Sequence, residues 1–274
     1  MPVLNAMTVD VEEYFQVSAF ANVVSRADWS CYESRVQASM ERILALFDRH
    51  GIKATFFVLG WIAREHPTLV QRLISEGHEV GSHGMYHDRV TDLSPDELAS
   101  DLADSRKLLE DICGCEVKGY RAPSFSLPLN PLSYEVLAQA GYRYSSSIYP
   151  IKHDHYGAPE SERFSFEGGS GVLEIPISTL RFFGKNLPVG GGGFFRLLPY
   201  PYHRYGFSRL NNLEGRPGVF YMHPWEIDPY QPRPSGLSLK SRFRHYLNLH
   251  KTYTRLGRLL GDHQWSSIER IYEL

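Results

Sequence analysis

Four stretches of this chain combine residue types and spacings that could do chemistry. The first is MTVDVEEYF (7–15), where a short apolar lead runs into Asp10, Glu12 and Glu13. Acidic residues are poor strand formers. Either the strand stops there with its acids facing water, or its end borders a site that needs carboxylates. The second is SHGMYH (82–87), with His83 and His87 four positions apart. On one helical turn, or in a loop closing on itself, that spacing lets two imidazoles share a metal, which then needs a third protein ligand and an open position. A hard carboxylate oxygen would complete the set, and Asp10, Glu12 and Glu13 are at hand. The plain alternative is two surface histidines in a loop. In GYRAPSFS (119–126) Arg121 is fixed by the Ala-Pro that follows, and a stiffened arginine fork suits a carboxylate such as Asp10. VFYMHPWEID (219–228) ends a β-like run in His223, followed by Trp225. Histidine suits general-acid work near neutral pH, and the tryptophan could wall a sugar site.

These side chains need a scaffold, and the first half of the chain alternates helix and strand signals. Val36, Met40, Ile43, Leu44 and Phe47 share one helical face over residues 35–50, with Gly51 as a C-terminal cap. KATFFVLG (53–60) reads as a buried strand. A second helix, Pro67 to Glu76, stops at Gly77 before the strand HEVGSH (78–83). Ser94, Pro95 and Glu97 open a helix reaching about Cys113. A short strand precedes Arg121, and Asn130-Pro131 opens a helix ending near Gly141 before the strand YRYSSS (142–147). Such repeated units imply parallel strands with right-handed crossovers, hence an α/β barrel or a doubly wound sheet. In both, sites form at the C-terminal ends of the strands, where Asp10, His83 and Arg121 all fall.

GVLEIPIS (171–178) and GVFYMHPW (218–225) read as further strands. The glycine-rich PVGGGGFFRLLPY (188–200) reads as a loop of close backbone approach, since it lacks the Lys-Ser/Thr ending of a phosphate loop. Residues 229–261 carry no acid but include Arg233, Lys240, Arg242, Arg244, Lys251, Arg255 and Arg258, with an apolar side made by Phe243, Tyr246, Leu247, Tyr253, Leu256 and Leu260. This reads as a helix packed on the domain with a solvated basic face, or as one that meets an anionic membrane surface or a pyrophosphate group.

With 42% hydrophobic residues, 274 residues suffice for one large core. A net charge of -2 argues against a nucleic-acid partner. The opening residues lack the basic start and apolar run of a secretory signal, and no apolar run approaches the ~18 residues that span a membrane. Three cysteines, Cys31, Cys113 and Cys115, read as free thiols of a reducing cytoplasm. The expected location is therefore cytoplasmic, with peripheral contact at the inner membrane through the basic C-terminal region.

An acid-bearing first strand, then His-x-x-x-His, then Arg-x-Pro, then a late strand ending in His: in that order the chain resembles the polysaccharide deacetylase family, which shares the NodB homology domain. It is most similar to the branch found beside exosortase-linked exopolysaccharide loci, which carries DVEEYF near its start and HPWEIDPYQPR with a basic helical tail near its end. The resemblance implies an α/β fold, a distorted, incomplete (β/α) barrel over residues 1–228 with a basic amphipathic C-terminal helical extension over 229–274 packed on the same domain. It also implies a hydrolase that uses a divalent metal ion, zinc by first expectation, to remove acetyl groups from the N-acetylated sugars of a polysaccharide or its precursor. On that resemblance Asp10 matches the general base, His83 and His87 the metal ligands, Arg121 the residue that orients the base, and His223 the general acid.

Three departures from the family pattern carry expectations of their own. Val11 stands where most members have a second, metal-binding aspartate, so Glu12 becomes the third ligand. Alternation along a strand sends Asp10 and Glu12 to one face and Val11 into the core, and leaves Glu13 pointing away as an ordinary residue. Ser124 replaces the usual aromatic at the substrate, with a nearby backbone N–H facing the oxyanion. Asp154 and Glu174 are the candidates for the acid that supports the catalytic histidine. The rival readings are a metal-dependent amidase for a small non-sugar amide and a carbohydrate-binding protein that has lost catalysis.

Overall fold

In the computed structural model, which describes residues 2–274, strand β1 (Leu4–Val11) is the axis of the sheet and is buried from Asn5 onward. On one side it pairs in parallel with β2 (Thr55–Val58), then β3 (Glu79–Ser82), β4 (Gly119–Tyr120) and β5 (Tyr144–Ser145). Beyond β5 an antiparallel pair, β6 (Phe166–Gly169) and β7 (Val172–Glu174), closes that edge, with β7 parallel to β5. A separate hairpin, β8 (Thr179–Phe182) with β9 (Lys185–Pro188), precedes β10 (Val219–Met222), which pairs in parallel with the other side of β1.

The barrel closes between β7 and β10 through irregular chain. Ile177 N donates to Ile148 O at 2.9 Å, Ser178 N to Val219 O at 3.3 Å, and Tyr221 N to Gly190 O at 2.7 Å. This is the distorted, incomplete (β/α) barrel that the resemblance implies, and the first of the two architectures that the strand and helix alternation leaves open. Every strand from β1 to β5 runs the same way, so their C-terminal ends open on one mouth.

The helices follow from the same local chemistry. α1 (Val36–Arg49) buries Val36, Met40, Ile43, Leu44 and Phe47 against the sheet. α2 (Gly60–Glu65) begins where a longer strand is predicted, because β2 stops at Val58 and Gly60 N turns to Gly84 O. α3 (Pro67–Ser75) and α4 (Pro95–Cys113) follow, the latter with the Ser94–Glu97 capping box and a left-handed Gly114 cap. α5 (Pro131–Gln139) is capped by Asn130.

The second half departs further from expectation. The glycine-rich stretch is not all loop: α6 (Gly192–Leu197) forms within it and α7 (Tyr200–Asn212) follows. The basic segment folds as α8 (Leu239–Tyr246) and α9 (Leu249–Asp262). It ends in β11 (Gln264–Ser266), parallel to the start of β1, and α10 (Ile268–Tyr272). Phe243, predicted on the apolar side, is 58% exposed, and Arg255 turns inward to donate to Phe195 O at 2.8 Å. Among the described residues no helix is long and apolar enough to cross a membrane. All three cysteines are free thiols.

His78 pins the opposite end of the sheet, its Nδ1 accepting from Ala54 N at 3.2 Å ahead of β2. Burial pushes its pKa down to about 4. The unfolded chain therefore takes up the proton first, and the contribution of neutral His78 is full above pH ~6.5 and lost as pH falls towards 4. The difference in pKa corresponds to on the order of 3 kcal/mol. Urea denaturation at pH 7 and pH 4.5 should show a smaller acid loss for H78N than for the wild type. Parallel losses would remove His78 from the account.

Candidate active site

The mouth is organised by Arg121, which leaves β4 fully buried. A buried guanidinium persists only if its charge is paired and its N–H groups are used. Here Nη1 donates to Asp10 Oδ1 at 2.6 Å and to Thr8 Oγ1 at 2.7 Å, both on β1. Nε donates to Ser146 O at 2.9 Å and Nη2 to Ser146 Oγ at 2.7 Å, just past β5. The Phe57 ring lies 4.2 Å beneath the guanidinium. The predicted Arg121–Asp10 pairing is thus present, and it spans the sheet from β1 to β5.

The same residue orients a histidine through its backbone. His83 Nδ1 donates to Arg121 O at 2.7 Å, which turns Nε2 towards the carboxylates. His87 returns to the site through a tight loop, with Gly84 at φ +75 and His87 itself at φ +60. Asp101 of α4 anchors that loop by accepting from Met85 N at 2.9 Å. Ligand atoms of Glu12, His83 and His87 all lie within 4.8 Å of one another. Asp10 and Glu12 do face the same way, and Val11 is in the core.

Protonation states favour a cation here. Burial alone would raise the pKa of Glu12, but His87 and His223 outweigh it and hold the carboxyl down at about 2. Burial pushes His83 down to about 4, so its ring is neutral at neutral pH. Glu12 Oε2 is buried 2.9 Å from His87 Nε2, yet forms no aligned hydrogen bond. One ionised carboxylate oxygen without a donor, facing two imidazoles, is a donor set that suits a divalent ion.

His223 stands across from these groups. Its Nε2 is 3.5 Å from Glu12 Oε1 and 3.9 Å from Asp10 Oδ2. Burial opposes its charge, but Glu12, Glu226 and Asp10 prevail and raise its pKa to about 9. Its Nδ1 lies 3.4 Å from Glu226 Oε1. Neither predicted supporting acid reaches it. Asp154 pairs on the surface with Lys240 and Arg244, and Glu174 accepts from Ser147 N and Ile148 N at 2.8 and 3.0 Å. A single 3₁₀ turn over Pro224–Ile227 brings residue 226 back beside residue 223, and that turn is the signal a strand-like reading of HPWEID hides.

Two further expectations, on Trp225 and Glu13, are corrected. Trp225 is only 6% exposed, stacked between His223 at 5.0 Å and His245 at 4.1 Å, with its indole N–H donating to Glu12 Oε1 at 3.3 Å. It braces the site and does not offer a free face to a sugar. Glu13 is buried, not ordinary, and accepts from Ser34 Oγ at 2.5 Å, Arg35 N at 3.0 Å and Val36 N at 3.1 Å. It is the acceptor for the free N–H groups at the N-terminus of α1, and burial raises its pKa against the lowering by those same hydrogen bonds. The aromatic missing at Ser124 comes one residue later, where buried Phe125 packs 4.8 Å from Tyr221. Ser124 itself is half-buried, left-handed at φ +54, with Oγ 2.5 Å from Ser18 Oγ.

Comparisons with known proteins bear on this arrangement. Residues 27–145 match the family model described as Polysaccharide deacetylase, and 146–273 match one described as a Domain of unknown function (DUF3473). A peptidoglycan-N-acetylglucosamine deacetylase from Bacillus cereus is 31% identical over 93 residues, covering 34% of this chain and 34% of that protein. A chitooligosaccharide deacetylase from Azorhizobium caulinodans is 32% identical over 82 residues, covering 30% of this chain and 39% of that protein. The alignments thus span well under half of these relatives' lengths. Over nearly the whole chain the fold is shared with the peptidoglycan deacetylase PdaC from Bacillus subtilis, at TM-score 0.53 and 16% identity, covering 99% of this chain and 91% of that one.

Replacing Glu13 tests the reassigned anchor. E13A removes the acceptor for three donors at the start of α1 and should cost about 1–3 kcal/mol in urea denaturation. A change below ~0.5 kcal/mol would return Glu13 to the ordinary surface class.

Proposed function

From the match of residues 27–145 to the polysaccharide deacetylase family model we propose that the chain is a metal-dependent hydrolase removing acetyl groups from N-acetylated sugars of a polysaccharide or its precursor. The observation that carries the reading is the convergence of an Arg121-bound Asp10, the Glu12–His83–His87 triad and a cationic His223 at one barrel mouth. Glu12, His83 and His87 would hold the divalent ion, with zinc the first candidate, and the ion supplies Lewis acidity that makes hydroxide available near neutral pH.

The chain's own residues divide the remaining work. Asp10 Oδ2 takes the proton of the attacking water, while Oδ1 is held by Arg121 so that the free oxygen keeps one direction. Water oxygen bonds to the acetyl carbon, and a backbone N–H of the left-handed Ser124 turn donates to the oxyanion that forms. The C–N bond then breaks, and His223 Nε2 delivers its proton to the departing sugar nitrogen. Neutral amides resist hydrolysis, so a deprotonated nucleophile and a protonated leaving group are both required.

An exopolysaccharide setting is supported by the DVEEYF and HPWEIDPYQPR stretches. Packing of the extension over 229–274 on the barrel over 1–228 as one domain is supported by β11, which pairs with β1. Peripheral contact with an anionic membrane surface is supported by α8, where Leu239 is 87% and Phe243 58% exposed, four positions apart and flanked by Lys240, Arg242 and Arg244. Sedimentation with anionic vesicles should show binding that the double substitution L239S and F243S weakens by about tenfold. Wild-type protein that stays in the supernatant would reject the contact.

D10N decides the base assignment. Acetate release from an N-acetylglucosamine oligomer should fall by at least ~10²-fold while metal content, measured by elemental analysis, is unchanged. Retained turnover would reject Asp10 as the base. A small-amide amidase would instead act on small amides and leave the oligomer intact, and a carbohydrate-binding protein would turn over neither at any zinc level.

A further inference from the structure

The carboxylate beside His223 is itself held by a buried cation. Arg196, at the end of α6, is 3% exposed, and its Nη2 lies 3.5 Å from Glu226 Oε1, the oxygen that faces His223 Nδ1. Its Nη1 donates to the carbonyls of Arg244, His245 and Leu247 at 2.9, 2.8 and 3.0 Å. Those are orphan acceptors at the C-terminal end of α8, where a cation is favoured. The guanidinium also lies 5.2 Å over the Trp225 ring that stacks on His223. Backbone geometry fixes the other side. A Cβ on Gly192 would stand 1.9 Å from Glu226 Oε2, so only glycine lets the carboxylate sit there. The glycine-rich stretch thus has a local purpose.

We propose that Arg196 is a positioning residue for leaving-group protonation, acting through Glu226 on His223, and that the end of α8 is part of the same device. The inference rests on the deacetylase reading above. Arg196 fixes Glu226, which accepts Nδ1–H and so aims Nε2–H at the reacting nitrogen. As the C–N bond breaks, its electron pair stays on nitrogen and the Nε2 proton passes to it. Neutral imidazole remains, with Nδ1–H still on Glu226. Arg196 exchanges no proton and touches no reacting atom.

An aryl acetate separates this role from simple support of the fold. A sugar amine must be protonated to leave, whereas 4-nitrophenolate leaves as an anion and needs no general acid. Steady-state kinetics of R196M on both substrates should show kcat for the oligomer reduced by about 10- to 100-fold, KM within about threefold, and aryl acetate turnover within about twofold. G192A, which leaves Arg196 in place but displaces Glu226, should show the same split. R196K should fail to rescue, because a single ammonium cannot reach both the carboxylate and the three carbonyls. Equal losses on both substrates, or an unchanged oligomer kcat in folded R196M or G192A, would overturn the proposal while the deacetylase reading stands. A wild-type protein that cleaves the aryl ester and releases no acetate from the oligomer would overturn both.

Discussion

One buried ion pair constrains everything around the barrel mouth. Arg121 and Asp10 are both out of water, and removing either partner would strand a charge at a cost of about 3–5 kcal/mol. That cost makes the geometry stiff. Through the same guanidinium β1 is tied to the segment after β5, and through the same peptide carbonyl His83 is turned to face Glu12. The proposed base and one proposed metal ligand therefore share a single support, and neither can shift without the other.

A second buried arginine repeats the arrangement on the opposite side. Arg196 stands to Glu226 as Arg121 stands to Asp10, at longer range. Between these two pairs lie Glu12 and His223, whose charges depend on one another across 3.5 Å. Charge is thus balanced locally, acid against base, in a region with little solvent to screen it. Trp225 joins the two halves, stacking on His223 while bonding Glu12.

Much of this was legible in the sequence because it follows from periodicity. Asp10, His83 and Arg121 could be placed at strand ends from helix–glycine–strand repeats alone, and Glu12 was paired with Asp10 by strand alternation. What could not be read depends on tertiary approach. Glu226 meets His223 only because Pro224 starts a tight turn in place of a continued strand. Glu13 finds its partners 21 to 23 residues further on, at a helix start whose own residues offer no cap. Gly192 looks like loop until the carboxylate it makes room for is in view. The irregular closure between β7 and β10 has no period at all.

On the proposed reading, a metal held by Glu12, His83 and His87 is what makes the Asp10 side of the mouth a hydrolytic site. Acetate release from an N-acetylglucosamine oligomer, followed while zinc is titrated into metal-stripped protein, measures this directly. The expected result is no turnover without metal and a rise that breaks at one equivalent of zinc, with E12Q shifting the break to a large excess. Full activity in the metal-stripped protein, or a titration that E12Q leaves unchanged, would contradict it.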